Sequence, residues 1–126
     1  MNPRPLTALV IDDSPTLALQ MQQLLQEFNI EAQVATGAAE LQDAPNSFSV
    51  IFIELVQGSG NGFHMLRTLA GKVGCPLVLL TGTARKSDHA WARQAGAAAV
   101  LQRPLSRAYL AHCLQELALL PLATAV

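Results

Sequence analysis

Apolar residues in this chain fall into two patterns that alternate along its length. Short, mainly apolar runs, LTALVI (6–11), SVIFI (49–53), PLVLL (76–80) and AAAVL (97–101), are each bounded by polar or turn-forming residues. Runs of this length read as strands buried on both faces, the habit of a parallel sheet. Between them, apolar positions recur at helical spacing. Leu17, Met21, Leu24, Leu25 and Phe28 form one such face. Phe63, Leu66, Leu69 and Val73 form a second, and Leu110, Cys113, Leu114 and Leu117 a third. Each spacing fits only a helix with one face inward.

Boundary residues sharpen the pattern. Ser14 is placed as the N-cap of the first helix, with Pro15 at its first position. Pro76 opens the fourth strand, where a missing N–H is tolerated. A weaker second strand is expected over 31–35, half exposed, because Ala32 and Val34 alternate with polar neighbours. A short second helix is expected over GAAELQDA, and a fourth over 84–95 ended by Gly96. The sum is an α/β chain of (βα)5 type: a doubly wound, parallel five-stranded sheet with helices on both faces.

Composition narrows the reading. With 126 residues, 51% of them hydrophobic and 13% charged, the chain is expected to form one domain over 1–126 with a substantial core. A net charge of −1 argues against nucleic acid or an anionic membrane as partner. No apolar run approaches a membrane span, and the N-terminus lacks the apolar region of a signal peptide, so a cytoplasmic setting is expected. Cys75 and Cys113 lie in apolar patterns and read as buried thiols. The end of the last helix and the tail, LALLPLATAV (117–126), are unexpectedly apolar, and Pro121 is expected to stop the helix.

Chemistry gathers at the strand ends. Asp12 and Asp13 follow the first apolar run, Glu54 the third, Thr81 the fourth and Arg103 the fifth. In a parallel sheet these ends share one rim, where functional groups collect.

The motifs and their order resemble the receiver domain of bacterial two-component response regulators, over essentially the whole chain. The resemblance rests on Asp12-Asp13, on Glu54-Leu55-Val56 with Gly62-Phe63, on Thr81-Gly82, on Ala95-Gly96-Ala97 and on Arg103-Pro104. It implies a flavodoxin-like receiver fold and no enzymatic activity. It also implies roles at matching positions. Asp12, Asp13 and the Val56 carbonyl correspond to Mg²⁺ ligands, with Asp13 the closer of the two carboxylates. Glu54 stands at the phosphoacceptor position. Thr81 matches the hydroxyl that bonds the phosphoryl group, and Arg103 stands in place of the usual lysine.

The departures from that pattern carry the functional argument. Glutamate stands where aspartate accepts phosphate, and one added C–C bond displaces its carboxylate by about 1.5 Å. Misplacing a reacting group by about 1 Å costs on the order of 10²-fold in rate. Glu54 is therefore expected to be a poor phosphoacceptor. Converging carboxylates at about 4 Å repel by roughly 4 kcal/mol at an effective dielectric of 20. Arg103, longer than lysine and forked, is expected to pair with Glu54 and offset that repulsion. Val100 replaces the aromatic residue whose reorientation reports occupancy near Thr81. A valine has little volume to swing and a stiff χ1.

Smaller signals are weighed more plainly. GSGNG (58–62) reads as a flexible connection and not as a phosphate cradle. His64, His89 and His112 have no metal-ligand spacing and are expected at the surface. Trp91 shares a helical face with Asp88, Ala92 and Ala95 and is expected to be buried or half-buried. Arg85, Lys86, His89 and Arg93 are expected on the outward face of the fourth helix. That helix, with the fifth strand and fifth helix, is the family's usual partner surface.

The expected function is an atypical stand-alone receiver, a protein-binding module working without phosphorylation. It would require no cofactor, with weak Mg²⁺ binding at most. Its partners would be signalling proteins: a histidine kinase, an output protein or a second copy. One alternative is a receiver phosphorylated on Glu54 with Mg²⁺. A more distant one is a Mg²⁺-dependent phosphotransferase or phosphatase. The latter needs two aspartates two residues apart on one side, whereas adjacent Asp12 and Asp13 diverge. Flavin binding also fails, because DDSPT lacks a hydroxyl- and glycine-rich phosphate loop.

Overall fold

The computed structural model describes residues 6–36, 47–57, 60–82 and 86–121. Five strands form one sheet: β1 (Thr7–Ile11), β2 (Glu31–Ala35), β3 (Val50–Glu54), β6 (Leu77–Thr81) and β7 (Ala99–Gln102). Their order is β2-β1-β3-β6-β7, and every pairing is parallel. Among the described residues four helices accompany them: α1 (Pro15–Gln26), α2 (Gly62–Ala70), α3 (Lys86–Ala95) and α4 (Arg107–Glu116). The short helix expected over GAAELQDA lies outside the described residues, as do Arg85 and residues 122–126.

Alternation along the buried strands divides the core in two. Ala8, Val10, Val50, Phe52, Val78 and Leu80 point to the face covered by α1 and α4. Leu9, Ile11, Ile51, Ile53, Leu77 and Leu79 point to the face covered by α2 and α3. Burying an aliphatic or phenyl side chain of this size contributes about 1.5–3 kcal/mol over leaving it exposed. The central strands β3 and β6 are buried throughout, while β2 is the half-exposed edge its alternation predicts.

Local chemistry sets the helix ends. The Ser14 hydroxyl accepts the Leu17 N–H at 3.3 Å, and the Ser106 hydroxyl accepts the Tyr109 N–H at 3.0 Å. Gly96 ends α3 at φ 114°, and an added Cβ would stand 2.6 Å from the Ala70 Cβ. Both the conformation and the close approach of the α2 end therefore call for glycine.

Several expectations are corrected here. Helix α4 ends at Glu116, well before Pro121. Ala118 takes a left-handed φ of 59°, and its N–H bonds the Gln115 carbonyl while that of Leu119 bonds the Leu114 carbonyl. This Schellman closure lets Leu119 and Leu120 turn back onto the core, so local capping precedes the proline. Gly60–Asn61 (β5) pair with Val56–Gln57 (β4) in a small antiparallel hairpin. The arms of the segment read as a plain connection thus have regular structure.

Trp91 is 56% exposed, because the sheet-facing side of α3 is taken by Ala92 and the ring lies outside it. There it meets Phe63 edge-to-face at 6.4 Å. His89 is half-buried and not outward, with its Nε2 buried and lacking a hydrogen-bond partner among the described residues. Cys113 is buried, its thiol pushed up to about 11 mainly by desolvation, whereas Cys75 is only half-buried.

Candidate functional site

Strand register brings the polar strand ends to one rim. Ile11 aligns with Ile53, Glu54 with Leu80, and Thr81 with Gln102. Asp12 and Arg103 are the residues just beyond β1 and β7, while Glu54 and Thr81 close β3 and β6. Backbone hydrogen bonds continue past the strands. The Asp12 N–H donates to the Ala35 carbonyl at 3.0 Å, Leu55 to Leu80 at 2.8 Å, and Arg103 to Thr81 at 2.8 Å. The backbone ladder of the sheet thus continues into the rim. The rim lies where the strand order reverses between β1 and β3, the usual position for a ligand crevice.

At its centre sits one guanidinium between two carboxylates. Arg103 Nη1 donates to Glu54 Oε2, and Nη2 donates to Asp12 Oδ2 at 3.1 Å. The remaining oxygens are also engaged. Asp12 Oδ1 accepts the Ser14 N–H at 2.9 Å, and Glu54 Oε1 accepts the Val56 N–H at 3.4 Å. Asp12 is 1% exposed and Glu54 6%. Burying such a charge costs several kcal/mol unless a partner and hydrogen bonds offset it. The Glu54 carboxyl is raised above its ordinary range: desolvation dominates, the Arg103 hydrogen bond and charge and the Val56 N–H oppose it, and Asp12 adds to it.

The ion pair expected from the sequence is formed, and Arg103 reaches further than expected, to Asp12 as well. Asp13 is half-buried beside it in the chain and Thr81 is fully buried. Val100 is half-buried against the α2/α3 side of the core. Val56, whose carbonyl the resemblance would make a metal ligand, lies in the β4–β5 hairpin with its side chain 71% exposed. Lys86 and Arg93 are exposed on α3.

Two supporting residues were missed in the sequence. The Tyr109 hydroxyl accepts the Gln102 N–H at 3.0 Å and so fixes the backbone next to Arg103. The one signal for it was a lone tyrosine three residues after a serine N-cap. Gly62 is packed so closely that an added Cβ would collide with the Glu54 carbonyl and stand 2.8 Å from Leu55 Cα. It holds the hairpin and the start of α2 against the end of β3. Its place in the Gly62-Phe63 motif was the available clue.

A parallel sheet of this order, with acidic, hydroxyl and basic groups on its carboxyl rim, defines a receiver-type signalling domain. The response regulator receiver domain family matches residues 8–115, and the chain belongs to that family. It is 26% identical over 122 residues to the two-component response regulator PprB of Pseudomonas aeruginosa. That alignment covers 90% of this chain but 44% of PprB, so the chain spans less than half of that relative's length. Among solved structures it is similar to a two-component response regulator from Clostridium difficile, at TM-score 0.81 and 20% identity, covering 94% of this chain and 99% of that one. The BeF3-activated N-terminal receiver domain of Klebsiella pneumoniae RstA superposes at TM-score 0.78 with 19% identity, covering 86% and 95%. At these identities the structural likeness establishes the fold.

Proposed function

We propose that this receiver domain is a non-enzymatic, protein-binding module of a two-component pathway that works without phosphorylation of its pocket. The carrying observation is the Arg103 fork, which joins Glu54 and Asp12 where a receiver would place phosphoryl group and metal. In-line phosphoryl transfer needs an acceptor oxygen free to attack and a cation free to neutralise the transferred group. Here the acceptor-position carboxylate is too long, and both of its oxygens are already hydrogen-bonded. Glu54 carries about one unit of charge against the 1.5–2 of a phosphoryl group, so the fork is a partial imitation of the occupied state.

The donor set fits Mg²⁺ poorly. That ion demands a near-octahedral set of oxygen ligands. Each oxygen of Asp12 and Glu54 already accepts a hydrogen bond, and a guanidinium charge stands between the two side chains. A divalent ion would have to expel Arg103 to reach them. The proposed working state is therefore metal-independent and the setting cytoplasmic. Partners are signalling proteins, either a histidine kinase, an output protein or a second copy, meeting the α3–β7–α4 face. That face is set by packing, because Val100 offers no ring to reorient.

The test is exposure of the wild-type chain to acetyl phosphate, and separately to beryllofluoride, with Mg²⁺ present. The Klebsiella RstA receiver serves as the positive control. The expected result is an unchanged intact mass and unchanged amide shifts around Asp13, Thr81 and Val100. A phosphoryl adduct on Glu54, or saturating Mg²⁺-dependent shifts at Asp13, overturns the proposal in favour of a phosphorylatable receiver.

A further inference from the structure

The two helix layers that cover the sheet differ in charge. Between Leu55 and Gln102 the chain has five basic residues, Arg67, Lys72, Arg85, Lys86 and Arg93, and one acidic residue, Asp88. This stretch includes both α2 and α3. Arg67, Lys72, Lys86 and Arg93 are exposed, whereas Asp88 is half-buried. None of these four exposed cations forms an ion pair among the described residues. In the opposite layer, α1 has no charged residue, and Arg107 at the start of α4 pairs with Glu27. The α2–α3 layer is therefore the cationic side of a chain whose net charge is −1.

The same layer exposes apolar surface. Trp91 of α3 is more than half exposed although its ring packs edge-to-face on Phe63 of α2. That contact places the indole on the α2 side of α3 and restricts its swing, so a partner meeting it has little left to order. Arg67 follows Phe63 by one helical turn, at i+4, and so shares its flank of α2. Val56, also exposed, pairs across the hairpin with Asn61, the residue just before α2. Neither the Trp91 nor the Val56 side chain takes part in the carboxylate–guanidinium rim. Tryptophan and arginine are among the residues that most often anchor protein–protein contacts.

We infer that the α2–α3 flank bearing Trp91, Phe63 and Arg67 docks an acidic, amphipathic segment of a partner protein. An apolar side chain of the segment rests on the indole, and its carboxylates face Arg67 and the other cations of the layer. Charge selects this occupant. A second copy would bring a like-charged layer against this one, which disfavours two-fold pairing through it. Nucleic acid would be held through phosphate contacts, and four scattered cations on a chain of net charge −1 offer few of them. An acidic amphipathic segment uses both features: the cations steer it and the indole anchors it. The surface goes beyond the function proposed above. It is built on α2 and the α2 side of α3, not on β7 or α4, and does not depend on whether Glu54 accepts a phosphoryl group.

Trp91 is the chain's single tryptophan, so its emission reports the site directly. The test titrates the full chain with a leucine–glutamate amphipathic peptide that has no aromatic residue. Its leucine–lysine counterpart and a glutamate–serine peptide without leucine serve as comparisons. The first peptide is expected to shift the emission to the blue and to saturate, and each of the others to bind at least about tenfold more weakly. Raising salt from about 0.1 M to about 1 M shortens the screening length from about 10 Å to about 3 Å and should weaken the first peptide severalfold. Arg67→Gln and Gln23→Glu lower the net charge equally, the first beside Phe63 and the second on the exposed face of α1. Arg67→Gln should weaken the acidic peptide by about threefold or more, and Gln23→Glu should leave it unchanged. Trp91→Ala, followed by amide shifts of α2 and α3, should weaken it at least about tenfold. No saturation with the acidic peptide, equal losses in Arg67→Gln and Gln23→Glu, or a stronger response to phosphatidylglycerol vesicles or a thymidine oligonucleotide overturns the proposal. Each of these outcomes leaves the phosphorylation test above untouched.

Discussion

The two halves of the rim are built in opposite ways. At the β1/β3 end, both buried carboxylates have every oxygen engaged, by a backbone N–H on one side and Arg103 on the other. At the β6/β7 end, Thr81 remains buried, but Val100 supplies no aromatic ring. The residue that closes the first half comes from the second: Arg103 follows the edge strand β7 and reaches across β6 to Glu54 and Asp12. One guanidinium thus spans four of the five strands' ends. A lysine in its place would offer a single ammonium where a planar fork now meets two carboxylates. The contrast teaches that a single guanidinium fixes the buried carboxylates of one half, while the other half is held by apolar packing.

The largest expected effect comes from cutting the tie. Arg103→Ala leaves Asp12 and Glu54 buried without their cation and should lower stability by about 3–5 kcal/mol, read by urea denaturation. A loss below about 0.5 kcal/mol would show that the fork holds nothing together and that the two halves are independent. Next is the seat of the β3 end. Gly62→Ala drives a Cβ against the Glu54 backbone and should cost about 1–3 kcal/mol by the same measurement.

Glu54→Asp sharpens the comparison, because it shortens the arm on the carboxylate half and leaves the apolar half as it is. Phosphorylation by a small donor is expected to become detectable by intact mass. Self-association measured by sedimentation should nevertheless change by less than about tenfold, or 1.4 kcal/mol, with and without donor. A larger change would mean that the β6/β7 end still reads the pocket without an aromatic residue.

The smallest effect is in pH dependence. The Glu54 carboxyl is raised in the fold, so the folded chain keeps its proton to higher pH than the unfolded chain does. Its contribution to stability is therefore full below the ordinary carboxylate value and is lost as pH rises through the folded value. The difference in denaturation midpoint between wild type and Glu54→Gln should move in the direction of wild-type loss over that interval. Movement the other way would mean that Arg103 outweighs burial.

Strand and helix periodicity is a local property, and so the five strands, the Ser14 cap, the Gly96 stop and the half-exposed β2 could all be read from neighbouring residues. The rim was legible for the same reason: in a parallel sheet, a polar residue after a buried run has one place to go. That Glu54 needs a cation, and that an arginine sits at a matching strand end, follows from charge alone.

What sequence left open depends on contacts between distant segments. Whether Arg103 meets one carboxylate or two is set by the reach from β7 over β6 to β1, a distance that exists only once the sheet is assembled. Trp91 was misplaced because helical periodicity identifies a direction but not which residue wins the sheet-facing space, here taken by Ala92. The early end of α4 was hidden because nothing local forces Ala118 into a left-handed turn; docking Leu119 and Leu120 on the core does. By itself the sequence determined which chemistry reaches the rim. Tertiary packing decided how that chemistry is paired, because pairing is fixed by distances across the sheet and not by order along the chain.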